Sequence, residues 1–179
     1  LDKRNGKWES LTFTQVKQQA RHFAAGLIKM GVKPGDRIAL MSEGRREWLI
    51  TELGMLMAKA VNVPLSIKLN VEGEVSFRLA HSGARYLILS APQAKRLADV
   101  GFGPEGITLI HLDNCDALSD GVATYDKIIK EGAEWLKDSD NAAHLDALIA
   151  SIDKDDMVNI SYTSGTTSDP KGIMLTHHN

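Results

Sequence analysis

The chain has 179 residues, 43% of them hydrophobic, and sets 21 Lys and Arg against 23 Asp and Glu for a net charge of −2. That is enough apolar material for the core of one domain, or of one piece of a larger one, and it lacks the basic footprint of a general nucleic-acid binder, so any recognition of phosphate must be local. A single cysteine, Cys115, excludes an internal disulfide and a cysteine-built metal cluster and agrees with a reducing, cytoplasmic setting; it reads as an incidental thiol.

Elements follow in chain order. Asn5-Gly6 is a preferred two-residue hairpin turn, and β-forming residues from Trp8 to Phe13 continue beyond it. Thr14 is placed to cap a helix whose apolar positions Val16, Ala20, Phe23, Ala24, Leu27 and Ile28 keep a 3.6-residue spacing until Gly31 ends it. After the turn Lys33-Pro34-Gly35-Asp36, RIALMS (Arg37 to Ser42) reads as a buried strand. A helix from Arg45 to Ala58 follows, with so little polar face that it belongs to the interior. Then come a strand at Val61 to Pro64, a helix from Val71 to His81 behind an Asn70 cap, a strand at Tyr86 to Leu89, a short helix opened by Pro92 and a strand at Ile107 to Leu112.

This alternation of helices with short apolar strands predicts an α/β fold: a doubly wound, mostly parallel sheet with helices on both faces. Two helices, Thr124 to Lys137 and Asn141 to Ile152, have no strand between them and are expected to cross the sheet before Met157 to Thr163 returns as a strand. The most apolar stretch, Leu53 to Leu65, is broken by Lys59 and stopped by Pro64, so no segment reads as a membrane span. The N-terminus has no apolar signal core, and its start at Leu1 rather than methionine leads us to expect chain upstream.

The chemistry concentrates in TSGTTSDPKG. Thr163, Ser164, Thr166, Thr167 and Ser168 offer five hydroxyls within six positions. Gly165 and Gly172 permit backbone angles that gather N–H groups into an anion-binding concavity. Lys171 adds a mobile positive charge, and Pro170 stiffens the approach to it. Hydroxyls, amides and one ammonium group suit a polyphosphate, and the strand-like flanks VNISYT and IMLT argue against a flexible linker. A Walker A loop does not fit, because Pro170 occupies the place of its second glycine and Gly172 that of its magnesium-binding hydroxyl.

YTSGTTSDPKGIMLTHHN, Tyr162 to Asn179, resembles the signature of the adenylate-forming (AMP-binding) enzymes, the superfamily of acyl-CoA synthetases, peptide-synthetase adenylation domains and firefly luciferases, whose usual form is close to YTSGTTG-x-PKG-V-x-x-T-H-x-N. Trp8 with LTFTQV, Gly35 to Leu65 and HSGARYLILS (His81 to Ser90) are similar to earlier parts of the same family, and the whole pattern is most like the bacterial long-chain fatty acid CoA ligases. Ser168 departs from the family by standing where glycine is usual; if that position needs a left-handed backbone, serine costs about 1–2 kcal/mol there.

The resemblance implies the N-terminal part of the acyl-CoA synthetase-like fold, residues 1–179 being an incomplete AMP-binding domain. It implies an enzyme that couples a fatty acid to ATP, giving acyl-AMP and pyrophosphate, and then passes the acyl group to coenzyme A. Thr163, Ser164, Gly165, Thr166, Thr167, Lys171 and Gly172 would hold the ATP phosphates, and Thr163 or a neighbouring threonine would also touch Mg2+. No catalytic residue of the family falls within this stretch, so the piece alone is expected to be inactive. The partners implied are small molecules, with no nucleic acid; peripheral membrane contact and oligomeric state are left open. An amino-acid adenylation domain, a luciferase-like adenylating enzyme and a non-catalytic nucleotide-binding relative stay as alternatives.

Other residues read blandly. His177-His178 point different ways on any regular element, and His22, His81, His111 and His144 are scattered. Arg45-Arg46 read as a solvated helix start, and Trp8, Trp48 and Trp135 as packing residues.

Overall fold

A two-stranded hairpin, β1 (Asp2–Arg4) and β2 (Lys7–Glu9), opens the chain in a computed structural model that describes residues 2–4, 6–113, 123–163 and 170–179. Gly6 has φ 77°, the left-handed value that the turn demands. The second strand stops at Glu9 rather than running to Phe13, because the next helix starts early. Thr12, not Thr14, caps α1 (Phe13–Lys29): its hydroxyl accepts from the Gln15 amide at 3.2 Å, and Gln15 Oε1 accepts from the Thr12 amide at 2.8 Å. Only Thr12 has a glutamine three residues on to close this reciprocal box.

The main elements are β3 (Arg37–Met41), α2 (Arg46–Met57), β4 (Val61–Pro64), one π-helical turn (Val71–Val75) running into α3 (Ser76–Ser82), β5 (Tyr86–Leu89), α4 (Ala91–Asp99) and β6 (Thr108–His111). Asn70 caps the π turn as expected, its Oδ1 accepting from the Gly73 amide at 2.9 Å. Then come β7 (Ala123–Thr124), α5 (Tyr125–Trp135), α6 (Ser139–Ala150), β8 (Met157–Thr163) and β9 (Lys171–Thr176). Beyond the hairpin, seven strands form one sheet in the order β7-β6-β5-β3-β4-β8-β9. Every pairing in it is parallel except the last, β8 with β9.

Side-chain alternation along the buried strands divides the core. Ile38 and Leu40 of β3 and Ile88 of β5 face α1, α2 and α5 through Phe23, Leu27, Ile50, Tyr125 and Ile128. Ala39 and Met41, with Leu87 and Leu89, face α3 and α4 through Val75, Leu79 and Leu97. Helices thus cover both faces, and each fully buried Leu, Ile or Phe contributes about 1.5–3 kcal/mol.

Three further sequence expectations change. Helix α6 does not cross the sheet; its Leu145 is buried among Ala24, Ala25 and Ala58, so it forms an outer layer on the other helices. Helix α2 is not wholly interior, since Leu49 is exposed while Glu47 and Thr51 are buried. Trp8 keeps 68% of its surface exposed, unlike Trp48 and Trp135, which pack against the core. Among the described residues, no helix is long and apolar enough to cross a membrane. Cys115 lies outside the described residues.

Candidate nucleotide-binding site

The parallel strands β3, β4, β5, β6 and β8 share one direction, so their C-terminal ends open on one edge of the sheet. Thr163 ends β8 on this edge. β9 then returns antiparallel, pairing Tyr162 with Gly172 and Thr163 with Lys171. The sequence-predicted Thr163 and Lys171, eight positions apart, are therefore opposite neighbours on the last rung of a hairpin, both exposed. Among the described residues, neither the Thr163 hydroxyl nor the Lys171 ammonium group has a hydrogen-bond or ion-pair partner. Ser164, Gly165, Thr166 and Thr167, with Ser168 and Asp169, lie outside the described residues.

Gly172 is placed differently from what its loop chemistry suggested. It lies inside β9 with no left-handed φ, and a Cβ there would stand 3.0 Å from Ile160 Cγ2 and 3.3 Å from Tyr162 Cζ. What the glycine provides is room for the tyrosine ring. Tyr162 in turn reaches α3: its hydroxyl lies 2.8 Å from His81 Nδ1, and its ring centroid is 5.5 Å from the Arg78 guanidinium carbon. Burial raises the Tyr162 phenol above its ordinary value, against the opposing effects of Ser82 and Arg78, so it is neutral near pH 7. This use of His81 had no local signal in the sequence, since its partner is 81 residues away.

On the same edge, a second polar cluster occupies the place where the strand order reverses, beside β3 and β5. Arg45 Nε donates to Glu47 Oε2 at 2.8 Å and its Nη1 to Asp113 Oδ1 at 2.7 Å, while Asp113 Oδ2 accepts from the Ala91 amide at 2.7 Å. Arg46 donates to Glu9 at 2.8 Å and to Glu47 at 3.1 Å. Burial would raise the Glu47 carboxyl, but hydrogen bonds from Arg45, its own backbone and Arg46, with the charge of Arg45, bring it down to about 2. Gln93 Nε2 donates to Glu43 Oε1 at 2.6 Å. Both arginines are thus engaged with carboxylates rather than forming a solvated helix start, and with Glu9 they line a cavity of about 320 Å³.

Thr176 and Asn179 form a local turn past β9, with Asn179 Oδ1 accepting from the Thr176 amide at 2.8 Å and hydroxyl at 3.2 Å. His177 contributes its amide to Asp156 O at 3.2 Å.

Comparison with known proteins bears on the family and the fold. The model of the AMP-binding enzyme family matches residues 2–179. The long-chain-fatty-acid–[acyl-carrier-protein] ligase AEE15 of Arabidopsis thaliana, a chloroplastic protein, is 32% identical over 94% of this chain and 24% of its own length. The long-chain-fatty-acid–CoA ligase FadD15 of Mycobacterium bovis is 31% identical over 98% of this chain and 28% of its own. Among solved structures, the anthranilate CoA ligase AuaEII in complex with anthranoyl-AMP shares the fold with a TM-score of 0.74 at 20% identity, across 94% of this chain and 30% of that one. The chain thus spans about a quarter to a third of the length of these relatives. With a doubly wound sheet and a family match over residues 2–179, the chain belongs to the AMP-binding enzyme family.

Proposed function

We propose that the protein carrying this chain is an acid–thiol ligase that activates a long-chain fatty acid with ATP and transfers the acyl group to coenzyme A. The observation that carries the reading is the placement of Thr163 and Lys171 opposite each other at the mouth of the β8–β9 hairpin, without competing partners among the described residues. In the first step a carboxylate oxygen attacks the α-phosphorus of ATP, and the bond to the bridging oxygen breaks to release pyrophosphate. In the second a thiolate attacks the acyl carbonyl and AMP departs.

The contribution of this chain is to the leaving group. Lys171 neutralises charge that builds on the β- and γ-phosphates, while the Thr163 hydroxyl and the 164–167 segment orient them. Such a clamp acts before the thiol step and is indifferent to the acid. Magnesium fits this donor set only in part. Among the described residues no group of three His, Cys, Asp or Glu side chains could hold a metal, so the Thr163 hydroxyl would supply one hard oxygen ligand and phosphate and water the rest. When bound, the ion neutralises phosphate charge.

The relatives' names supply the substrate class: one is a fatty acid ligase for an acyl carrier protein, the other for coenzyme A. The test is pyrophosphate release by the intact polypeptide with carboxylates of increasing length, with coenzyme A or acyl carrier protein as acceptor. Acid-dependent release that turns over fully with coenzyme A supports the reading. Absence of acid-dependent pyrophosphate exchange with every acid refutes it.

A further inference from the structure

Tyr162 and Thr163, at the end of β8, have their registered strand pairing with β9 rather than with β4. Among the described residues the registered pairing of β8 with β4 is a single rung, Asn62 opposite Asn159, whereas pairing with β9 continues through Thr163. Within this chain β9 is the last strand of the sheet order, so the hairpin mouth takes no further strand pairing from the described residues.

A second support comes from α3 and is made of side chains. The Tyr162 hydroxyl lies 2.8 Å from His81 Nδ1 and 3.4 Å from the Arg78 carbonyl, and its ring meets the His81 ring edge-on with centroids 5.7 Å apart. Each neighbour is fixed in its turn. His81 stacks on Phe77 at 5.2 Å, and the Arg78 guanidinium donates to the Glu74 carbonyl at 2.8 Å while lying over the Tyr162 ring. Gly172 closes the far side, where any larger residue would meet the ring. Tyr162 and Gly172 form the rung directly beneath Thr163 and Lys171, so whatever fixes the tyrosine sets the heading of both groups.

We infer that His81 and Tyr162 are positioning residues for the phosphate site: α3 holds the Tyr162 hydroxyl and thereby fixes where Thr163 and Lys171 meet ATP. This rests on the nucleotide reading above and adds the part that aims it. A hydrogen bond of this kind, part-exposed, governs affinity for the aimed ligand by about 3–10-fold.

The experiment compares His81→Leu, His81→Asn, Tyr162→Phe and the His81→Leu/Tyr162→Phe double variant in the intact polypeptide. MgATP affinity is measured by calorimetry, and KM for MgATP, KM for the acid and kcat by pyrophosphate exchange. His81→Leu and Tyr162→Phe should each raise the Kd and KM for MgATP about 3–10-fold with KM for the acid and thermal midpoint unchanged. His81→Asn, which can still place a polar atom near the phenol, should recover most of the loss, and the double variant should be no worse than either single. Unchanged MgATP affinity in both singles, equal losses with Asn and Leu, or multiplying losses in the double variant overturn the inference while leaving the ligase reading intact. A wild-type protein that neither binds MgATP nor exchanges pyrophosphate overturns both.

Discussion

Gly132 of α5 rests directly against the main-chain carbonyl of His22 in α1; a Cβ at position 132 would overlap that oxygen and stand 2.6 Å from the Gly26 amide nitrogen. Gly26 returns the contact, with space for its own Cβ occupied by Ile128. Both obstacles include backbone, which cannot rotate aside. Gly132→Ala should therefore separate α1 from α5 and destabilise the protein by about 3 kcal/mol or more, at the upper end of overpacking costs. Urea denaturation of the variant would show this as a lower midpoint with an unchanged slope; a shift below about 0.5 kcal/mol would contradict the seam.

The cap of α1 gives a paired test. Thr12→Ala removes the hydroxyl that accepts from the Gln15 amide and should cost about 1 kcal/mol, whereas Thr14→Ala, inside the first turn, should be close to neutral. Thermal midpoints of the two variants, measured side by side, decide it; equal losses would disprove the Thr12 box.

These two residues also show what could be read in advance. Strands Val61–Pro64, Tyr86–Leu89 and Met157–Thr163 stand in the sequence as apolar runs between turn signals, and the structure places them there. Thr12 and Thr14 carry the same hydroxyl two positions apart, and the local signal that separates them is Gln15, three residues after Thr12, where Thr14 has Lys17. The two-residue β7 is too short to have a period, and it is placed only by its parallel pairing with the end of β6. The loop composition around Lys171 was legible because it is local. Arg45 with Asp113 and His81 with Tyr162 were not, being 68 and 81 residues apart and joined by single polar contacts that leave no periodic trace.

Lys59 offers a measure of backbone strain. It has φ 54°, the left-handed region that L side chains avoid, while its ammonium group reaches Asp156 at 2.8 Å and the Ser151 carbonyl at 3.0 Å. Lys59→Gly and Lys59→Ala lose those contacts equally and differ only in the Cβ. The glycine variant should be the more stable of the two by about 1 kcal/mol, read from urea midpoints; the reverse order would remove the strain argument.

Glu47 should confer a specific acid sensitivity. Its folded value of about 2 lies below the ordinary 4.5, so its contribution is complete above about pH 5 and disappears as pH falls toward 2. For this nearly buried group that contribution is up to about 3 kcal/mol. Glu47→Gln should be less stable than wild type at pH 7, with the gap closing by about pH 2–3. A gap that stays constant across urea titrations at pH 7, 4.5 and 3 would show that charge is not the cause.

Lys171→Ala tests the clamp directly. In the intact polypeptide, pyrophosphate exchange should fall about 10–100-fold while binding of the fatty acid, followed by calorimetry, changes less than about twofold. Equal exchange in variant and wild type would remove Lys171 from the leaving-group role.

The seam between α1 and α5 also has a consequence in time. Tyr125 and Gln19, which share a 3.3 Å hydrogen bond across it, are 106 residues apart. At a synthesis rate of about 5–20 residues per second, α1 leaves the ribosome roughly 5–20 seconds before the helix that covers it. During that interval the groove around Gly26 is open, and a growing chain must keep it from other apolar surfaces until α5 arrives. The close fit that secures the finished sheet therefore leaves the Gly26 face of its first helix bare for that interval, even though α2 already packs against Ala20 and Phe23 of the same helix.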